Sequence, residues 1–170
     1  MAVIEAIRTV YVEAAVSTVT ISSIPNTYEH LQLYLNQRGT YASTGLTAYL
    51  RLNGDTGTNY SGHELYTSGS GVGTLKSTNL GYWDLMTTGS TNPASEYVVQ
   101  VVDLYDYANT NKYTTMHHWQ NKTPRISFYC THGGGTWEST SAVSSIAFST
   151  YGANVERGSV FTLYGLKSAN

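Results

Sequence analysis

The sequence has few charged residues. Asp, Glu, Lys and Arg together make up 12% of its 170 residues, about half the share usual in globular proteins. The net charge is −2 and the chain has no basic cluster with which to neutralise a run of phosphates, so nucleic acid is not expected as a partner. A low charge also means weak repulsion between copies, which favours close packing of identical subunits.

Cysteine and long apolar runs are equally scarce. Cys130 is the single cysteine, so no disulfide can form within the chain, as expected for a protein assembled in a reducing cytoplasm. The N-terminal stretch MAVIEAIRTVYVEAAV is interrupted by Glu5, Arg8 and Glu13 and lacks the continuous apolar core of a signal peptide. No stretch approaches the length of a membrane helix, so we expect no membrane partner.

Alternation of apolar and polar residues is the main pattern in the chain. An apolar residue at every second position is typical of a strand that buries one face. Three segments follow this rule, and their predicted core faces are Leu31, Leu33 and Leu35; Leu46, Ala48, Leu50 and Leu52; and Ile126, Phe128 and Cys130. The segment EYVVQVVDLY, residues 96–105, is apolar at both parities, which predicts a central strand.

The remaining strand candidates complete an all-β prediction. They are Ala6–Val12, Val16–Ser22, His63–Thr67, Lys112–Trp119, Val143–Ser149 and Ser159–Leu166. About nine or ten short strands separated by turn signals predict an antiparallel β-sandwich, jelly-roll-like, in a single domain over residues 1–170.

Two segments are less regular. Residues 1–22 are interpreted either as an N-terminal hairpin paired within the sandwich, the favoured alternative, or as an arm that extends onto a neighbouring copy. Residues 68–95 have no clear period and are predicted to form a long loop. This loop carries an apolar cluster, which either caps the open end of the sandwich or forms an interface or ligand contact. The cluster residues are Tyr82, Trp83, Leu85 and Met86.

The turn between residues 53 and 59 partly resembles a calcium loop. Asp55 and Asn59 are weak candidate metal ligands, since calcium prefers oxygen donors at alternate positions. The turn has one carboxylate and no acidic residue closes it. Asn-Gly and Asp also form turns for backbone reasons alone, so no metal is expected.

The histidines and the cysteine do not form a convincing catalytic group. His117 and His118 are adjacent and would point to opposite faces of a strand. Cys130 and His132 share a face, but the alternation predicts a buried, inert thiol. His132 is followed by Gly133–Gly135 and is interpreted as a loop residue, and the glycines lack the lysine and helix of a phosphate-binding loop.

Carboxylates and aromatic residues allow two further hypotheses. Asp103 and Asp106 are a close acidic pair, but a glycosidase needs two carboxylates that flank one bond, and Asp106 is better interpreted as a turn residue. Exposed aromatic rings with polar neighbours could bind sugar, and Trp119 and Trp137 join Tyr82 and Trp83 as candidates. With no convergent polar constellation, neither an enzyme nor a cofactor is expected.

Three segments carry a resemblance to a known group of proteins. They are SIPNTYEHLQL (residues 23–33), LNGDTGTNYSGHELY (residues 52–66) and FTLYGLK (residues 161–167). Together they resemble a family of phage-encoded virion surface proteins, which includes head-decoration, tail and fibre components. The resemblance implies a β-sandwich with a structural role on the particle, assembled in the host cytoplasm, and it brings no catalytic residues.

The resemblance and the composition lead to one functional expectation and one alternative. We expect a capsid decoration (cement) protein that bridges shell subunits and stabilises the head, with the major capsid protein or other virion subunits and further copies of itself, as a dimer or trimer, as partners. The alternative is a tail or fibre adhesin that binds host surface glycans.

Overall fold

The computed structural model describes residues 2–122 and 129–168, which form twelve strands in two antiparallel sheets. The strands are β1 (Ala2–Tyr11), β2 (Thr18–Ser22), β3 (His30–Gln37), β4 (Leu46–Leu52), β5 (Tyr60–Ser68), β6 (Gly71–Leu80), β7 (Trp83–Thr87), β8 (Val98–Tyr105), β9 (Thr114–Lys122), β10 (Tyr129–Trp137), β11 (Ser145–Thr150) and β12 (Val160–Ser168). The described residues include no helix long and apolar enough to cross a membrane.

The two sheets differ in size. The larger has eight strands in the order β1-β12-β3-β8-β9-β10-β5-β6, and the smaller has four in the order β2-β11-β4-β7. The chain changes sheet repeatedly, so sequence neighbours such as β1 and β2 lie in different layers. The predicted antiparallel, jelly-roll-like β-sandwich is therefore confirmed, with twelve strands instead of nine or ten.

The core lies between the sheets and follows the alternation in the sequence. Leu31, Leu33 and Leu35 on β3 are buried, and so are the four apolar residues at alternate positions of β4. β8 occupies an interior position of the large sheet, between β3 and β9, as its apolar sequence predicts. Burial of these alternate side chains drives the sheets together, at roughly 25 cal/mol per Å² of apolar surface.

Two predictions about the irregular segments are wrong. Residues 68–95 are not one long loop, because they contain β6 and most of this strand pairs with β5, and because β7 pairs with β4. Residues 1–22 do not form a hairpin, although they do pair within the sandwich, which was the favoured alternative to an arm: β1 pairs with β12, and β2 pairs with β11 in the other sheet. Both N-terminal strands find their partners at the C-terminal end of the same chain.

The prediction of a buried Cys130 is also wrong, because the thiol is exposed. Cys130 pairs with Asn121 of β9, and both side chains point outward from the large sheet. Ile126 and Phe128, the other residues of the predicted core face, lie outside the described residues. His132 and Gly133–Gly135 are within β10 and not in a loop.

The glycines of β10 make room for a tryptophan from the small sheet. Trp83 of β7 is 4% exposed, and a Cβ placed on Gly135 would overlap its indole ring. A Cβ placed on Gly62 of the neighbouring strand would lie 3.0 Å from the same ring. On β10, Gly133 leaves space for His118, whose Cε1 would lie 2.7 Å from an added Cβ. The run of glycines therefore has a packing role.

Candidate functional site

The outward face of the eight-stranded sheet carries a group of aromatic and hydrogen-bonding side chains. The register of β3, β8, β9 and β10 brings two rows of them side by side. One row consists of Gln32, Asp103, His117 and Gly134, and the next consists of Tyr34, Val101, Trp119 and His132. Asn121 follows Trp119 two positions along β9, on the same face. We refer to Asp103, His117, Trp119, Asn121 and His132 as the Trp119 face.

Trp119 is the most prominent apolar side chain of this face, and 44% of it is exposed. Val101, its partner on β8, points to the same side yet is only 2% exposed. The larger side chains around Val101 must therefore cover it, which gives the face an apolar floor. An exposed indole at the centre of a sheet is unusual, because tryptophan is highly buried on average.

A chain of contacts organises the polar side chains. Gln32 Nε2 donates to Asp103 Oδ1 at 2.7 Å, and Asp103 Oδ2 lies 3.4 Å from His117 Nδ1. His117 Nε2 in turn lies 2.7 Å from His132 Nε2. In the neutral tautomer of His117 that donates from Nδ1 to the carboxylate, Nε2 accepts and His132 is the donor of the second contact.

The pKa of the neighbouring Tyr105 is raised above its usual value. Burial raises the pKa of Tyr105, and the negative charge of Asp103 raises it further. The Tyr105 hydroxyl therefore stays neutral at physiological pH, where it can both donate and accept a hydrogen bond. The carboxylate, two imidazoles and an amide therefore present both donors and acceptors on adjacent rows of the sheet.

The predicted contact residues do not form an exposed patch. Trp83 and Leu85 are buried in the core, at 4% and 1% exposure, so the prediction of an interface on these side chains is wrong. Their strand β7 alternates between the two faces of the small sheet, which turns both residues inward. Tyr82 and Met86 are half-buried, and Tyr82 packs against Tyr49 with ring centroids 3.9 Å apart.

The weak metal candidates are used in a hydrogen-bonded turn. Asp55 accepts hydrogen bonds from Gly57 N at 2.8 Å, Asn59 Nδ2 at 2.9 Å and Trp137 Nε1 at 2.7 Å. Burial alone would raise the pKa of Asp55, but these three hydrogen bonds outweigh it and hold the pKa below its usual value. Over residues 2–122 and 129–168, no group of three or more His, Cys, Asp or Glu side chains is placed to hold a metal ion.

The acidic pair and the second predicted tryptophan also have separate structural contacts. Asp103 belongs to the Trp119 face, whereas Asp106 follows β8 in a turn, with a positive φ of 51°, and pairs with Lys112. Trp137 is 2% exposed and is therefore a core residue. Of the four aromatic residues proposed for sugar binding, Trp119 is the one with a largely exposed ring.

A sequence signal for the Trp119 face was present. In TMHHWQN, residues 115–121, every second residue from His117 to Asn121 is polar or aromatic, which is an outward face by alternation. The partners Gln32 and Asp103 lie 71 residues apart in sequence, and only the pairing of β3 with β8 brings them together. Sequence reasoning found Trp119 and missed this polar row.

Comparison with known proteins concerns the fold alone. No model of a protein family matches the chain, and no curated protein matches it. Among solved structures, it is similar to a galectin of Caenorhabditis elegans at 10% sequence identity and a TM-score of 0.36, over 94% of this chain and 96% of that chain. It is also similar to a xylan β-1,4-xylosidase of Bacillus halodurans at 7% identity and a TM-score of 0.29, over 82% of this chain and 28% of that chain.

Proposed function

We propose that this chain is a surface protein of a bacteriophage particle that binds host glycans through the Trp119 face. The observation that carries the proposal is the half-exposed Trp119 indole on a sheet face that also holds a carboxylate, two imidazoles and an amide. Placement on a virion is supported by the resemblance of residues 23–33, 52–66 and 161–167 to phage-encoded surface proteins.

The indole supplies the apolar part of glycan recognition. A pyranose ring has one face of C–H groups, which packs on a flat aromatic surface, and tryptophan offers the largest such surface among the side chains. Val101 underneath keeps the neighbouring region apolar and closely packed. Trp119 therefore provides a platform of about the width of one sugar ring.

The polar row supplies orientation. Sugar hydroxyls donate and accept hydrogen bonds, and Asp103, His117 and Asn121 offer both kinds of group beside the ring. Because Gln32 and His132 already hold the Asp103–His117 pair in place, little side-chain freedom is lost on binding. Such preorganisation lowers the entropic cost of association.

The test is glycan binding and cell adsorption by particles that carry Trp119→Ala. We expect adsorption to fall at least tenfold while the free energy of unfolding of the purified protein changes by no more than about 0.5 kcal/mol, the usual range for surface substitutions. Trp119→Tyr should retain part of the binding, since it keeps a flat ring. Tyr113→Ala, which removes another half-exposed ring, is the matched control and should adsorb normally. Full adsorption by Trp119→Ala would refute the proposal.

A second candidate function, capsid decoration, is favoured by the two outer strands of the large sheet, which have no further strand beside them in residues 2–122 and 129–168. β1 and β6 are both ten residues long and carry exposed apolar side chains, among them Tyr11 and Val72. Long apolar edges are templates for pairing with another strand. Copies of this chain joined edge to edge, or joined to shell subunits, would bridge the surface of a head.

Shell rupture temperature distinguishes the second candidate from the first. A decoration protein raises the temperature at which purified heads rupture, and Val72→Lys should reduce this gain by placing a charge on the β6 edge. Tyr11→Lys on the β1 edge reports whether the other edge contributes. Equal rupture temperatures with and without the protein would exclude decoration and leave glycan binding unaffected.

A further inference from the structure

An acidic slot lies on the opposite side of the large sheet, where the hairpin of β5 and β6 extends beyond the edge strand β7. Its titratable polar lining residues are His63, Glu64, Asp84 and His118, with Ser61 and Ser77 beside them. Leu75, Leu80 and Tyr82 form its apolar wall. None of these residues belongs to the Trp119 face.

The protonation of His118 follows from its buried neighbour. Trp83 Nε1 donates a hydrogen bond to His118 Nδ1 at 3.2 Å. Indole nitrogen is a donor only, so Nδ1 must carry a lone pair and the proton of the neutral ring is on Nε2. A ring in this state cannot ligate a metal through Nε2, which turns that edge of the slot into a hydrogen-bond donor.

This donor is buried without a matched acceptor. His118 is 2% exposed, and its Nε2 lies 3.3 Å from Glu64 Oε2 at an angle that leaves no hydrogen bond between them. A buried polar group without a hydrogen-bond partner destabilises the folded state. The imidazole therefore holds Glu64 electrostatically and leaves the carboxylate oxygens open to a further partner.

Asp84 adds a second carboxylate whose charge is not balanced. In the described part of the chain, neither Asp84 nor Glu64 forms an ion pair with a lysine or an arginine. Burial raises the pKa of Asp84 to about 6, with a further contribution from the charge of Glu64. Two carboxylates that disfavour each other's ionisation gain most from a cation placed between them.

We infer that the slot binds an organic cation of ammonium type, with the charged head between Glu64 and Asp84 and the alkyl chain on Leu75, Leu80 and Tyr82. An ammonium group has three donors and no acceptor, which suits carboxylates on two sides. The apolar wall suits the methylene stem of such a ligand, as for a lysine side chain. The source is either a lysine of a protein partner or a free polyamine.

Titration with n-butylammonium, followed by the NMR signal of the Trp83 indole N–H, tests the inference. We expect a saturable shift, at least tenfold weaker binding by Glu64→Gln and by Asp84→Asn, and unchanged binding by the exposed control Glu13→Gln. Binding should also tighten as the pH rises from 5 to 7.5, because a proton on Asp84 competes with the cation. n-Butanol and NaCl at matched concentrations should give no shift.

Two further probes separate the sources of the ligand. Tighter binding of an N-acetyl-lysine amide than of spermidine supports a protein partner, and the reverse order supports a polyamine. No shift with any cation, or an equal shift with n-butanol, would overturn the inference. The outcome is independent of the glycan test, since Trp119→Ala leaves the slot intact.

Discussion

Trp137 Nε1 donates a 2.7 Å hydrogen bond to Asp55 Oδ2, and the two residues are 82 positions apart in sequence. The bond joins the turn between β4 and β5 to the end of β10. The carboxylate also accepts from Gly57 and Asn59, so it stabilises the fold only in its ionised form.

The first prediction concerns stability at acidic pH. Because the pKa of Asp55 is lower in the folded than in the unfolded chain, its contribution is fully present above the unfolded pKa of about 3.9 and is lost as the pH falls through the folded value. Asp55→Ala should lower the free energy of unfolding at pH 7 by about 1–3 kcal/mol. Urea unfolding at pH 7 and pH 3 should show a smaller acid loss for Asp55→Asn than for the wild type, and parallel losses would contradict this role.

Calcium should have no effect on the stability of this turn. The oxygens of Asp55 already accept three hydrogen bonds, and Asn59 directs its amide nitrogen at the carboxylate. We expect the unfolding midpoint at pH 7 to be the same in excess CaCl₂ and in excess EGTA. A rise of the midpoint in CaCl₂ that Asp55→Ala abolishes would restore the calcium interpretation of this turn.

The second prediction concerns Asp84, whose pKa is raised on folding whereas that of Asp55 is lowered. Burial and the charge of Glu64 raise its pKa to about 6, so the stabilisation that comes from its protonated form is fully present below the unfolded pKa of about 3.9 and is lost as the pH rises through 6. Asp84→Asn resembles the protonated acid. Its free energy of unfolding at pH 7.5 should therefore exceed that of the wild type by an amount on the order of 1 kcal/mol. At pH 4 the two proteins should be equally stable in urea, and a destabilised Asn variant at pH 7.5 would be inconsistent with a penalised carboxylate.

The third prediction compares neighbouring glycines of β10. Gly135→Ala should destabilise the protein by about 3 kcal/mol or more, because a packed core does not accommodate an extra methyl group. The new methyl group would overlap the Trp83 ring and the Ser61 carbonyl. Gly134→Ala places its methyl group on the outward face, 3.5 Å from the Met116 carbonyl, and should be neutral or stabilise by up to about 1 kcal/mol. Thermal unfolding of both variants checks this, and equal losses would show that the packing of Trp83 does not require the glycine.

The fourth prediction concerns Arg38, which is 4% exposed. Its guanidinium donates to the carbonyls of Asn92 at 2.8 Å, Pro93 at 2.8 Å and Glu96 at 3.1 Å. Arg38→Met leaves these acceptors without their donor and should cost about 3 kcal/mol or more. Hydrogen exchange should accelerate over residues 89–97 more than elsewhere, whereas a uniform acceleration would mean that Arg38 does not act on this loop.

Alternation made much of the fold predictable, since a period of two fixes which face of each strand is buried. Leu31, Leu33 and Leu35 were assigned to the core for this reason. The same rule failed for β6, whose sequence is GVGTLKSTNL. Its side chains are mostly exposed on both faces, so apolar and polar residues do not alternate along it. Trp83 was misplaced because its burial depends on Gly62 and Gly135, which lie on other strands and are distant in sequence, so sequence spacing does not reveal the contact.

The pairing of β1 with β12 has a consequence for synthesis on the ribosome. Tyr11 lies opposite Val160, so the first strand emerges long before its neighbour exists. At 5–20 residues per second, translation of the intervening chain takes on the order of 10 s. During that interval the apolar side chains of the first strand are open to chaperones and to other nascent chains. Neither sheet can close until β11 and β12 have been synthesised, because each lies between two other strands of its sheet.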